Sequence, residues 1–133
     1  MAYAANITIT KLSIRDYFVS ISETDAQNTS ETTIVDSTTS KTLPLQGRVL
    51  RQVCFFSSGT GSTVDPVLGT ATGVAGINII MENDVASALI DNQPVTGIPY
   101  YSETGTLYHK SKVDSGTNNS VVTHYYIREG WVE

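Results

Sequence analysis

The chain has 133 residues and a formal net charge of −5, enough for one domain that buries roughly 65–70% of its extended-chain surface without staples. Charged residues make up 16% and hydrophobic ones 40%, while 18 Thr and 14 Ser fill the difference, a mixture that suits strands and turns and leaves few of the residues helices prefer. With its eight Lys and Arg dispersed, the acidic chain has no counterion release to offer a phosphate backbone, which argues against nucleic acid as a direct ligand.

Residues 6–22 alternate in polarity, with Ile7 and Ile9, then Leu12 and Ile14, then Tyr17, Val19 and Ile21. The parity changes between Thr10 and Lys11 and between Arg15 and Asp16, which predicts a bulge or break at each point. Residues 23–40 are polar apart from Ile34 and Val35. They read as a loop and an edge strand, with an arm that orders on a partner as the alternative.

Residues 47–57 form the strongest predicted core strand, with Val49, Val53 and Phe55 on one face and Leu50, Cys54 and Phe56 on the other, the pattern of a strand buried on both sides. Residues 58–73 are a glycine- and threonine-rich connection with a turn signal at Asp65 and Pro66. Residues 74–81 resume as a strand that sets Ile77, Ile79 and Met81 on one face. Residues 84–91 are expected to form one or two helical turns, capped by Asp84, with Val85, Ala88 and Leu89 on a shared face.

Two prolines and the pair Tyr100 and Tyr101 make residues 93–102 an irregular or edge segment. Residues 106–113 and 120–128 flank a turn-rich stretch at 114–119 and are predicted to pair as a hairpin. That hairpin would present Tyr108, His109, His124, Tyr125 and Tyr126, with Trp131 following in a short tail.

Together these elements predict a single all-β domain over residues 1–133. The expected form is an antiparallel two-layer β-sandwich, jelly-roll-like, with about seven or eight strands and at most one short helix. No amphipathic stretch is long enough to make the crossover of a parallel α/β sheet.

A hairpin centred between Gly116 and Thr117 would set His109 opposite His124, and paired imidazoles serve zinc sites and pH switches. No further ligands are legible nearby, so the pair is read as cross-strand neighbours on a wet face. Glu82, Asn83, Asp84, Asp91 and Asn92 supply oxygens of the kind calcium uses, without calcium-loop spacing, and suit caps and turns as well.

Gly59, Gly61, Gly69, Gly73 and Gly76 do not fall at a phosphate-cradling spacing, and no nucleophile elbow surrounds any serine. Cys54, the single cysteine, has no intrachain partner and is expected as a buried apolar filler in a protein made in a reducing cytoplasm. No secretory signal and no apolar run of about 18 residues is legible. The reading is therefore of a non-enzyme with no catalytic residue, metal or cofactor and no membrane association. Tyr100, Tyr101, Tyr108, Tyr125 and Trp131 are its partner-contact candidates, because aromatics with a polar tip favour interfaces.

The stretch from Gly105, Thr106, Leu107 and Tyr108 through Val113, Asp114, Ser115 and Gly116 to Arg128, Glu129, Gly130 and Trp131 resembles the small virion structural proteins of tailed bacteriophages. So does the type as a whole, an acidic Ser/Thr-rich chain with one cysteine and a glycine-rich middle. The resemblance implies a capsid decoration (cement) protein made in the host cytoplasm. Such a protein would bind across neighbouring major capsid protein subunits, or another virion protein, as a homo-oligomer with a trimer favoured. The alternatives are a tail, fibre or baseplate component that contacts the host surface, and a carbohydrate-binding module that stacks sugars on Tyr100, Tyr101, Tyr108 or Trp131.

Overall fold

Ile7 and Ile9 on β1 (Ala4–Lys11) and Val19 and Ile21 on β2 (Asp16–Thr24) are buried, while their neighbours face outward. The two strands pair antiparallel, with Ile9 opposite Val19 and Ile7 opposite Ile21. The parity changes expected after Thr10 and Arg15 fall on either side of the turn that joins the two strands. The computed structural model describes residues 2–73, 78–82 and 85–131.

The larger sheet runs β1-β2-β10-β4-β7, where β10 is Ser120–Glu129, β4 is Gln46–Ser58 and β7 is Leu89–Asn92, and β8 (Ile98–Tyr101) lies alongside the first part of β4. The smaller sheet runs β3-β9-β5-β6, from Glu31–Thr33, Tyr108–Lys110, Val67–Gly69 and Ile79–Met81 respectively. All pairings among the described residues are antiparallel. The expected two-layer all-β sandwich is therefore observed, with ten strands among the described residues where seven or eight were expected, because several are only three or four residues long. Its main core joins Ile7, Ile9, Val19, Ile21, Val49, Tyr125 and Ile127 of the large sheet to Leu68 and Met81 of the small one.

Three local expectations are corrected. First, residues 106–113 and 120–128 do not form a hairpin: β9 pairs with β3 and β5, β10 pairs with β2 and β4, and the chain between them crosses from one sheet to the other. The turn-forming residues are spent on a different loop. The Asp114 carboxylate accepts from Ser62 N, Thr63 N and the Ser62 hydroxyl, and Asn119 Oδ1 accepts from Gly61 N at 2.9 Å. Gly116, at φ 95°, lies so close to Thr60 and Gly61 that a side chain there would run into their backbone.

Second, Val49 does not share a face with Val53 and Phe55. The β4–β10 register shifts between Tyr126 and Ile127, and Leu50 has no partner across from it. That bulge flips the alternation, so Val49, Gln52 and Cys54 point inward while Val53 and Phe55 lie half-buried on the outer face. Third, the helical turns expected over 84–91 are replaced by strand: Leu89–Asn92 pairs with β4 from Phe55 to Gln52, and Val85 and Ala88 are exposed. Backbone pairing with an existing sheet outweighs a short helical pattern. Asp84 and Asn83, along with Ile77, lie outside the described residues.

The edge strand expected within 23–40 is β3, at the margin of the small sheet. Ala26, Ile34 and Asp36 of this segment are buried against the body. The segment also caps the outer edge of β1: Ser37 Oγ accepts from Ile7 N at 2.8 Å, Asp36 Oδ2 accepts from Ile9 N at 2.9 Å, and Ser37 N donates to Ile7 O. The Asp36 carboxyl is held down to about 2 by backbone N–H groups of Ile9, Thr39 and Thr38.

Candidate interaction surfaces and the buried polar cluster

The inward parity of β2, β9 and β10 brings polar side chains into the sandwich along with the apolar ones. Glu23 follows Val19 and Ile21, His109 lies between Leu107 and Ser111, and Thr123 and Tyr125 lie between Val121 and Ile127, all of them buried. They form one connected network. Tyr3 Oη donates to Glu23 Oε2 at 2.6 Å, and the Ser111 hydroxyl donates to Glu23 Oε1. His109 Nε2 lies 2.9 Å from Ser111 Oγ and 3.3 Å from Glu23 Oε1, and its Nδ1 lies 2.8 Å from Tyr125 Oη. Gln52 Nε2 donates to Tyr125 Oη, and Asn92 Nδ2 donates to Gln52 Oε1. With the ring proton on Nε2, the Tyr125 hydroxyl donates to Nδ1 and each member finds a complementary partner.

Burial pushes the Glu23 carboxyl up, but the bonds from His109, Ser111 and Tyr3 outweigh it and hold the group below its ordinary value. Burial raises the Tyr125 phenol far above its usual range and pushes the Cys54 thiol up to about 12. Cys54 lies fully buried beside Thr123, whose hydroxyl donates to its sulfur at 3.3 Å. A serine, a histidine and a carboxylate thus converge, but all three are shut away from solvent, and a substrate would have no approach to them. Their chemistry is to bolt β2 and β10 of one sheet to β9 of the other.

His124 occupies the opposite parity of β10 and lies on the outer face. It does not meet His109, contrary to the hairpin expectation, because the two strands sit in different sheets. On that outer face Phe18 stands opposite Tyr126, Ser20 and Val53 flank His124, and Phe55 stands between Val122 and Leu89. The Phe18 ring centroid is 5.0 Å from both His124 and Tyr126, and Phe55 meets His124 edge-on at 6.3 Å. Arg51 lies over Tyr126 and forms a paired contact with Asp91 at 3.0 and 2.9 Å. Leu89 is 58% exposed. Partial burial, with the Arg51 charge second, holds the His124 imidazole below its ordinary value.

The five partner-contact candidates divide. Tyr125 is fully buried in the network and Tyr100 is buried with its hydroxyl on Pro44 O at 3.0 Å, so both are corrected from surface to core. Tyr101 and Trp131 are exposed, and the Trp131 indole N–H donates to Tyr100 O at 2.8 Å. Tyr108 is half-buried and lines an open groove with Tyr101.

Sequence reasoning missed Glu23, Phe18 and Phe55 as site residues. The signal for Glu23 was its place two residues beyond Ile21, and the signal for Phe18 was its place opposite the buried parity of Val19. Among the described residues, no group of three or more His, Cys, Asp or Glu side chains is arranged to hold a metal ion. Among the same residues, no helix is long and apolar enough to cross a membrane. No known protein family and no curated protein matches this sequence.

Proposed function

We propose that this chain is a non-enzymatic virion structural protein of the capsid-decoration kind, which lays the outer face of its larger sheet across neighbouring capsid subunits. The observation that carries the reading is the band of Phe18, His124, Tyr126, Phe55, Val53, Val122 and Leu89 on that face. Aromatic and aliphatic groups of this sort form the centre of protein interfaces and supply most of their energy. The face stands on a sandwich bolted internally by the Glu23–His109 network, so docking costs little ordering. The capped edge of β1 directs contact to the face of the sheet and away from that edge. Added interface of this type stabilises a shell by mass action and needs no chemistry. The resemblance to small phage structural proteins supports the same assignment, with a homotrimer as the assembling unit in the virion.

Quantitative mass spectrometry of purified particles tests the reading. The expected result is a copy number in simple ratio to the major capsid protein, with Phe18→Ser and Tyr126→Ser proteins failing to bind shells that lack the native chain. Absence from particles sinks the proposal, and a few copies at one vertex would assign the chain to the tail.

A further inference from the structure

We infer that the groove between the β8–β9 turn and the loop after β5 is a binding site for a neutral saccharide. One wall is Tyr101 with Ser102, Glu103 and Thr104, the other is Thr70, Ala71 and Thr72, and Tyr108 of β9 completes the lining. Two phenol rings are thus combined with hydroxyls and one carboxylate. A pyranose ring offers a face of C–H groups, which are weakly positive and lie well on an aromatic face. Its rim of hydroxyls needs oxygen partners of the kind Thr70, Thr72, Thr104 and Glu103 provide. Few other small ligands match both halves of that lining, and clefts that pair apolar surface with a few convergent polar groups are the usual form of ligand sites.

The charge selects further. The groove lining includes Glu103 and no Lys, Arg or His, and the chain as a whole carries −5. Sugars bearing carboxylate, sulfate or phosphate would be repelled, so the saccharide is an uncharged one.

Both walls are held in place before any ligand arrives. Ser102 N donates to Leu45 O at 2.7 Å, Ser102 Oγ donates to Thr106 O at 2.9 Å, and Gly105 takes a φ of 76° to close the turn. On the other side Thr70 N donates to Asn78 O at 2.9 Å, and the Glu31 carboxylate accepts from Thr72 Oγ1 at 3.0 Å and Gly73 N at 3.1 Å. Pinned walls reduce the ordering cost of binding. The Trp131 indole N–H donates to Tyr100 O, which ties down the residue before Tyr101. The groove shares no residue with the outer sheet face, so the saccharide site and the docking face stand or fall separately.

The test uses the full chain, first against an array of neutral and acidic bacterial oligosaccharides and then with maltohexaose and chitohexaose titrated under amide NMR. The expected result is binding of neutral glycans, with shifts concentrated at residues 70–72 and 101–108. Tyr101→Ala and Tyr108→Ala should each weaken binding about tenfold or more, as removal of a stacking ring does. Tyr108→Phe, which keeps the ring and the fold, should retain most of the affinity, and Val95→Ser at a distant exposed turn should change nothing. The inference is overturned if no neutral oligosaccharide perturbs those amides, if acidic glycans are preferred, or if binding is unaltered in Tyr101→Ala.

Discussion

The interior of the sandwich and the outer face of its larger sheet are each built around a histidine, packed against one aromatic ring inside and two outside. Inside, His109 meets Tyr125 with ring centroids 5.6 Å apart and is bonded through both nitrogens. Outside, His124 touches Phe18 and Phe55 and is held by packing. Both arrangements hang on β10, where Thr123, Tyr125 and Ile127 face in while His124, Tyr126 and Arg128 face out. The residue types barely differ, and solvent decides what they do. Away from water each polar atom must find a fixed partner, which makes the interior a lock. At the surface the same rings are half-hydrated and can exchange water for another protein.

Removing Glu23 would break that contrast at its strongest point. Glu23→Ala leaves the buried Ser111 hydroxyl without its acceptor and takes one partner each from His109 and the half-buried Tyr3, and is expected to cost about 1–3 kcal/mol in urea unfolding. A loss below about 1 kcal/mol would mean that the cluster contributes nothing a hydrated surface pair would not.

Acid sharpens the comparison next. Glu23 and Asp36 both have folded carboxyls below their ordinary values of 4.5 and 3.8. Each therefore contributes stability that is complete above those values and is lost as pH falls through the folded one, about 2 for Asp36. The urea midpoint should slip slightly as pH falls below the ordinary histidine value of 6.5, because the depressed His124 takes up its proton later in the fold, and then decline more steeply from about 4.5 downward, less so in Asp36→Ala. A midpoint that climbs on acidification would reverse the sign of the argument.

The smallest effect belongs to the outer face. Phe18→Ser or Tyr126→Ser should shift stability by less than about 1 kcal/mol, as surface changes do, measured in the same unfolding assay. A loss as large as that of Glu23→Ala would make the face part of the core.

Much of the fold was legible because strand parity is local. The alternation of Ile7, Ile9, Val19 and Ile21 and the apolar density around Cys54 placed three of the long strands. What local pattern could not supply was partnership. Asp114 and Asn119 look like hairpin-turn residues in sequence, yet their side chains bind the 61–63 loop some fifty residues earlier. The bulge at Leu50 likewise depends on register with β10. Glu23 escaped because an ionised carboxylate is rarely buried, and only its three partners from remote segments make the position tolerable. Of the aromatic candidates, Tyr101 and Trp131 were exposed in the fold. Tyr100 and Tyr125 were not, since the parity of their strands is fixed by neighbours far along the chain.

The covering of the β1 margin has a consequence for life at high density. Many copies packed side by side would otherwise offer one another a row of open amides and carbonyls, inviting runaway strand-on-strand growth into fibres. Ser37 and Asp36 occupy the Ile7 and Ile9 positions of that row, so this margin does not template a neighbouring copy at those positions. Protonating Asp36 weakens this guard, and strongly acidic solution is where stacking of chains would begin.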